Sequence, residues 1–392
     1  MNGAGLRVLI VSEFYPHPAQ PHEGVFVREQ LAHLLGCQTA GVIAPAVWYP
    51  PLPRYRNLRR VQPAGGRHDE AGRLVLRLRV PYVPLVAERC APAEFQRRAA
   101  AAIRQHHLQF DLIHAHWAYR SGWVASRLAR EFGRPLVLTT QGSDLNVWRH
   151  APRKRPQILA ALHAADAIIA LNDHMRADIL AEGLAPAKVF VIPQGVDCHA
   201  FQPTPDASRT LRPPQFASAF VLLCVANHHH VKGIDVLLRA LAQTSGDLML
   251  VLVGAGPETR ALRSLAHALG LRARIFFAGA QPPETIPHWI NAAEAVVIPS
   301  RSEGGPAVLL QALACGKPVV ATATGMAPAV LTDERSGLLT PVEDEKSLAR
   351  ALERAREQQW DSGHLRQQAL PYRWEEIGRR IVAVYRHVLR RE

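Results

Sequence analysis

Short apolar runs alternate with amphipathic stretches along the whole chain. In the first half the runs are RVLIVS (7–12), QTAGVIAP (38–45), LVLRLRVP (74–81), DLIHAHW (111–117), PLVLTTQGSD (135–144), AIIAL (167–171) and VFVIPQGVD (189–197). The second half restarts the alternation with FVLLCVAN (220–227), LMLVLVGAGP (248–257), RIFFAG (274–279) and two further runs at 294–300 and 318–324. Continuous, β-branched-rich runs of this length are what strands covered on both faces of a parallel sheet require. The stretches between them carry helical patterns, so the expected fold class is α/β with parallel sheets, built twice. A helix start is marked by Asn172, and WEEIGRRIVAVYRHVLRRE closes the sequence as a basic amphipathic helix.

The densest signal is the stretch 294–325: strand, glycine loop, helix, strand. Gly304, Gly305 and Pro306 open the helix PAVLLQALAC, and Gly316 with Pro318 closes it. Apolar nearly all round, this helix reads as buried. Its one polar residue, Gln311, either faces solvent or points at something polar in a cleft. A glycine loop running into a helix is an anion site, which makes phosphate the first ligand to consider. Glu303, just before the glycines, suits a sugar hydroxyl instead. Lys232 and Gly233 stand at another helix start, where an ammonium reaches phosphate oxygens as a point charge. His114 and His116 share one side of a strand and are read as structural or substrate-contacting, with no third metal ligand in sight. The tract His228–His230 is read as a loop lining the crevice.

At 392 residues the chain exceeds one core, and a segment rich in proline and small polar residues at 201–218 is the expected linker between domains 1–200 and 219–372. Five scattered cysteines argue against a disulfide framework or a zinc site, and with no apolar run of membrane-spanning length a cytoplasmic protein is expected. Of the net charge of +13, the first 200 residues carry +9, with 24 Lys and Arg against 15 Asp and Glu. Clusters at Arg54, Arg56, Arg59 and Arg60, at Arg73, Arg77 and Arg79, and at Arg97, Arg98 and Arg104 suggest an anionic partner. Aromatic interleaving is missing, which disfavours nucleic acid and leaves an anionic substrate or the inner face of the cell membrane.

Over nearly its full length the chain resembles the family 4 retaining glycosyltransferases of the twin-Rossmann GT-B fold. IPQGVDCHAF is similar to that family's interdomain segment, VANHHHVKGIDVLLRAL to its Lys-Gly helix start, LVGAGPE to its glycine turn, and SEGGPAVLLQALACGKPVVAT to its signature. YPHPAQPHEGVF, HAHW and TTQGSD match its acceptor-side loops. The resemblance implies two Rossmann-like domains facing across a cleft, with helix 373–392 crossing back to the first. It also implies metal- and cofactor-independent transfer of a sugar from a nucleotide-sugar, with retention, to a glycan or lipid-linked acceptor. Carried over by position, Lys232 and Glu303 would be catalytic, and Gly24, Asn227, Lys232, Gly304, Gly305 and Gln311 would bind the donor. His116, Gln141 and Asp144 would lie on the acceptor or sugar side. Four positions depart from the pattern: Gln311 and Ala329 for glutamates, Asn227 for an arginine and Gln141 for a histidine. Gln141 and Gln311 motivate one alternative, a nucleotide-sugar-binding scaffold; a second is a nucleotide-sugar epimerase, which would not need the basic acceptor face.

Overall fold

The computed structural model describes residues 5–53, 62–81, 87–204 and 211–390, without the side chains of 87–90. The chain divides into two compact units, residues 1–193 with 374–392, and residues 194–373.

The first unit is built on an eight-stranded sheet. Its strands are β1 (Leu6–Ser12), β2 (Cys37–Trp48), β3 (Gly66–Glu70), β4 (Arg73–Pro81), β5 (Leu112–His116), β6 (Leu136–Thr139), β7 (Ala167–Ala170) and β8 (Val189–Val191), in the order β3-β4-β2-β1-β5-β6-β7-β8. All neighbours are parallel except the edge pair β3–β4. Of that pair β4 was legible as an apolar run, whereas β3 showed no periodicity, because it is the polar sequence GRHDE, almost wholly exposed. Its two-residue turn, Ala71 (φ 52) and Gly72 (φ 75), has the doubly positive φ that matches hairpin twist.

Alternate residues of the central strands face opposite cores. Leu9, Val11, Ile113 and Leu138 pack under the helices Ala87–Gln105, Trp123–Phe132 and Arg155–Ala164, and Val8, Ile10, Leu112 and Val137 face the C-terminal helix Trp374–Leu389. Trp374 (1 % exposed) and Tyr385 (0 %) are the large side chains that the C-terminal helix buries on that second face. The helix lies against Val25–Ala32, and Gly378 permits the contact: a Cβ there would stand 2.1 Å from the carbonyl oxygen of His33. The indole of Trp374 donates to Glu29 (3.2 Å).

The second unit carries β9 (Phe220–Val225), β10 (Leu248–Val253), β11 (Ile275–Gly279), β12 (Ala295–Ile298), β13 (Val319–Thr322) and β14 (Leu338–Thr340) in a parallel sheet of order β11-β10-β9-β12-β13-β14. The chain winds outward from β9 in one direction, then restarts beside it at β12. That reversal is the switch point of a doubly wound fold, where ligands bind beyond the strands' carboxyl ends. The helix Ala307–Ala314 is buried as its composition predicts, with Leu309, Leu310 and Leu313 at 0 % exposure. Residues 201–218, expected as a linker, lie inside this unit, and 205–210 among them are outside the described residues. Phe201 and Phe216 enter its core, and Arg212 pairs with Glu294 at the start of β12.

Candidate functional site

The second unit's switch point gathers the loops that follow β9 and β12. They approach so closely that Gly233 (φ 60) admits no side chain, since a Cβ would stand 2.0 Å from the carbonyl oxygen of Pro299. Arg301 ties them together: its amide donates to the carbonyl of Val231 (2.8 Å) and its guanidinium to that of His230 (2.6 Å). The same guanidinium grips both oxygens of Asp235 (2.8 and 2.9 Å). Burial opposes ionisation of Asp235, yet the hydrogen bonds and charges of Arg301 and Arg239 hold its carboxyl down at about 2. Neither Arg301 nor Asp235 stood out in the sequence, because an ion pair 66 positions apart leaves no local pattern.

Inside this clamp Lys232 and Glu303 meet. The ammonium donates to Glu303 Oε1 at 2.6 Å, and the hydroxyl of Ser300 donates to the same oxygen at 2.7 Å. The carboxylate is 10 % exposed and the lysine 28 %. Separate roles were expected of these residues, and the fold makes them one ion pair. Gly325 (φ 58) closes the other side, where a Cβ would lie 2.9 Å from Glu303 Cβ and from the carbonyl oxygen of Gly304. Gly304 is buried and Gly305 half-buried just ahead of the helix Ala307–Ala314, on which Gln311 is half-exposed. Among the described residues the Gln311 amide makes no hydrogen bond, so both readings of it stay open. Asn227 is exposed after β9.

The next glycine turn is a structural lock. A Cβ on Gly254 would stand 1.9 Å from the carbonyl oxygen of Ala226, and one on Gly256 2.6 Å from that of His228. His228 is buried against Thr259 (2.9 Å), and its ring is held below the usual imidazole range by burial and then by Arg263. His229 and His230 are exposed, and among the described residues no group of three or more His, Cys, Asp or Glu is placed to hold a metal ion.

In the first unit the expected acceptor-side residues meet beyond β5 and β6. Gln141 Nε2 lies 3.0 Å from His116 Nδ1, and burial lowers the His116 ring to about 3, so it is neutral. His114 is wholly internal, between Tyr385 (2.7 Å) and Thr139 (2.7 Å), and therefore anchors the C-terminal helix. Asp144 is buried and accepts backbone N–H groups from Ala118 (2.9 Å), Gln141 (3.0 Å), Gly142 (3.0 Å) and Leu145 (3.2 Å). Burial pushes its carboxyl up while those donors pull it back. Its oxygens are thus spent on shaping the loop that presents Gln141. The regular helix after β5 starts only at Trp123, because Arg120 takes φ 60 and breaks the turn before it. Gly24 (φ 67) is required by its own loop, with a hypothetical Cβ 2.2 Å from the carbonyl oxygen of Phe14.

The basic clusters are largely consumed within the chain. Arg77 is buried and donates to the carbonyls of Tyr15 and Pro16, Arg97 and Arg98 pair with Glu94, and Arg104 pairs with Glu131. Arg54, Arg56, Arg59 and Arg60 lie outside the described residues. Among the described residues no helix is long and apolar enough to cross a membrane.

One pH effect follows from the clamp. The folded pKa of Asp235, about 2, lies below its ordinary 3.8, so its pairing stabilises the fold fully above pH 3.8 and is lost as pH falls through 2. The stability gap between the wild type and Arg301→Ala is expected to stay constant above about pH 4 and to narrow below it. Thermal unfolding of both proteins between pH 2 and 7 checks this.

Residues 212–373 match the family described as glycosyl transferases group 1, and residues 61–200 match Glycosyltransferase Family 4. A D-inositol 3-phosphate glycosyltransferase of Frankia alni is 32 % identical over 71 % of this chain and 75 % of its own. TuaC of Bacillus subtilis, a candidate teichuronic acid biosynthesis glycosyltransferase, is 27 % identical over 90 % of both. Among solved structures, the sucrose-phosphate synthase of Thermosynechococcus elongatus superposes with a TM-score of 0.79 at 24 % identity, covering 99 % of this chain and 100 % of that one. Anabaena HepE, solved with UDP and glucose, superposes with 0.73 at 20 % identity, covering 98 % and 100 %.

Proposed function

The chain belongs to the family 4 glycosyltransferases and has their twin-Rossmann GT-B fold, and from that premise we propose that it moves a sugar from a nucleotide-sugar to an acceptor hydroxyl with the anomeric configuration kept. The observation that carries this reading is the Lys232–Glu303 pair at the second unit's switch point. An ammonium has three donors, and Glu303 takes one. The others are left for the diphosphate of the donor, whose negative charge grows as the glycosidic bond breaks. A donor fixed in advance stabilises that leaving group without reorganisation, and the sugar, with oxocarbenium character, is then attacked from the face it vacated. Glu303, oriented by Ser300 and Lys232, accepts a hydroxyl of the transferred sugar. Gln311, Asn227, Gly24 and the loop of Gly304 and Gly305 complete the donor side, while His116, Gln141 and Asp144 serve the acceptor or sugar side.

The names of the relatives offer two acceptor classes, inositol 3-phosphate and a growing teichuronic acid, and the length matched in TuaC supports the second, in line with a role in polysaccharide synthesis. Thermal shift across UDP-, GDP-, ADP- and dTDP-sugars tests the donor. A ligand at about 100 times its Kd adds about 2.7 kcal/mol, so one nucleotide should stand out. Turnover of that donor with acceptor separates a transferase from a scaffold or an epimerase, and a chain indifferent to every nucleotide-sugar would refute the proposal. Gln311→Glu is expected to hold or tighten donor affinity, because a charge-assisted hydrogen bond to ribose is about twice as strong as a neutral one. Gln311→Leu should erase discrimination between the ribo and 2′-deoxy nucleotides, and isothermal titration with both reads the effect.

A further inference from the structure

The first unit has a switch point of its own, and a cavity sits there. In its sheet β1 is flanked by β2 on one side and β5 on the other, so the loops after β1 and β5 part at the carboxyl end of the strands. Glu13 from one loop and Arg120 from the other bridge the gap at 2.8 Å, 10 % and 14 % exposed. A cavity of about 270 Å³ opens beside them, walled by Glu13, His17, Gln20 and Glu23 from the β1 loop, Tyr49 after β2, and Arg77. It shares His17, Gln62, Pro63 and Arg77 with an adjoining space of about 620 Å³ faced by Pro16, Pro18 and Pro21.

Among the described residues, the cations that line this cavity are already committed. Arg77, 7 % exposed, serves the carbonyls of Tyr15 and Pro16; Arg120 serves Glu13; and Arg28, in the adjoining space, faces Glu70 at 3.5 Å. What remains is hydrogen-bond acceptance. Glu13 Oε2 is buried and makes no hydrogen bond. A polarised relay leads to the second carboxylate. The amide of Ala19 donates to His17 Nδ1 (3.2 Å), which puts the ring proton on Nε2 facing Gln20 Oε1 (3.0 Å), and Gln20 Nε2 then donates to Glu23 Oε1 (3.0 Å). Glu23 Oε2 is left over as an acceptor. Burial pushes both carboxyls upward, and Glu13 raises Glu23 further. A phosphate here would add a third negative charge in a poorly solvated place whose lining cations, among the described residues, are already paired, while Lys154, the further cation felt by Glu13, lies over the rings of Tyr119 and Trp148. Uncharged hydroxyls would instead donate to carboxylate oxygens that lack partners.

Resting on the reading of the chain as a glycosyltransferase, we propose that this cavity binds the acceptor through Glu13 and Glu23 and selects an uncharged sugar residue over a phosphorylated one. The proline-faced space beside it accommodates the next, less polar part of the acceptor.

The test is saturation-transfer NMR and titration of the full chain with the methyl α-pyranosides of glucose, galactose and mannose, against glucose 6-phosphate and myo-inositol 1-phosphate. At least one neutral glycoside is expected to bind about tenfold or more tighter than either phosphate. Glu23→Gln and Glu13→Gln should each weaken that glycoside by about tenfold or more, as loss of a hydrogen bond to a charged group does. Glu13→Gln also leaves Arg120 without its counter-charge, so glucose 6-phosphate should gain. Tighter binding of a phosphate by the wild type, no binding of any glycoside, or glycoside affinity unmoved in both variants would each overturn the proposal. Thermal unfolding of the variants shows whether they are folded, and if neither is, the comparison in the wild type decides. UDP titrated into the same samples reports the donor side separately, so a failure there counts against the proposed transfer reaction and not against the cavity.

Discussion

Trp374→Ala is expected to lower the unfolding free energy of the first unit by about 3–5 kcal/mol, the range for truncating a fully buried aromatic. The indole is 1 % exposed, donates to Glu29 and stacks beside His33 at 6.4 Å between ring centres. Removing it opens a cavity between the C-terminal helix and Val25–Ala32, where Gly378 has already brought the backbones together, so little collapse can heal the void. Chemical denaturation followed by far-UV circular dichroism should resolve an early transition for the first unit ahead of the second. A variant that unfolds at the wild-type denaturant concentration would mean the helix contributes far less than its burial implies. Tyr385→Phe, which deletes only the hydroxyl 2.7 Å from His114, serves as the graded control with an expected loss of about 1 kcal/mol.

Lys232→Ala should weaken binding of the preferred nucleotide diphosphate by about 10–100-fold, corresponding to the 1.5–3 kcal/mol of a hydrogen bond to a charged group. The ion pair makes the comparison with Glu303 informative. In Lys232→Ala the Glu303 carboxylate stays largely buried with Ser300 and without its lysine, adding repulsion toward an incoming diphosphate. In Glu303→Gln that repulsion is gone and the ammonium has a neutral neighbour, so affinity for the nucleotide should hold or rise while turnover falls. Calorimetric titration and steady-state rates on the two variants settle whether Lys232 meets phosphate. Parallel losses of nucleotide affinity in both would mean the pair is a structural strut of the clamp around Arg301.

Much of this was legible because buried parallel strands and their glycine turns leave strong local marks. The runs ending at Ser12, His116 and Val225, the capping Asn172 whose side chain accepts from the amide of Met175 (2.8 Å), and the buried helix before Gly316 were all readable from spacing and residue type. What escaped was non-local or polar. The strand Gly66–Glu70 has no apolar alternation, since it is an exposed edge held by its turn and by β4. The Arg301–Asp235 clamp pairs residues on different loops. Asp144 was placed on the acceptor or sugar side by its position in the resemblance, and only the fold reveals that its carboxylate is absorbed by four backbone amides. Glu13 carried no motif and Glu23 was not singled out within the loop YPHPAQPHEGVF, because their significance arises from a cavity that exists only once the loops after β1 and β5 are in place.

Because residues 374–389 cover one face of a sheet whose other strands precede residue 193, the order of synthesis matters. A ribosome adding about 5–20 residues per second needs roughly 10–40 s to travel from the end of β8 to the end of that helix. During this interval Val8, Ile10, Leu112 and Val137 lack the C-terminal helix and keep only the cover of Val25–Ala32, while the second unit, encoded in one uninterrupted segment, has everything its core requires. The nascent chain therefore carries an unfinished apolar surface for tens of seconds, long compared with collapse or helix formation. Yield on expression should accordingly depend on the helpers that shield such surfaces, and slowing translation within 194–373 should lengthen the exposure and lower the soluble fraction.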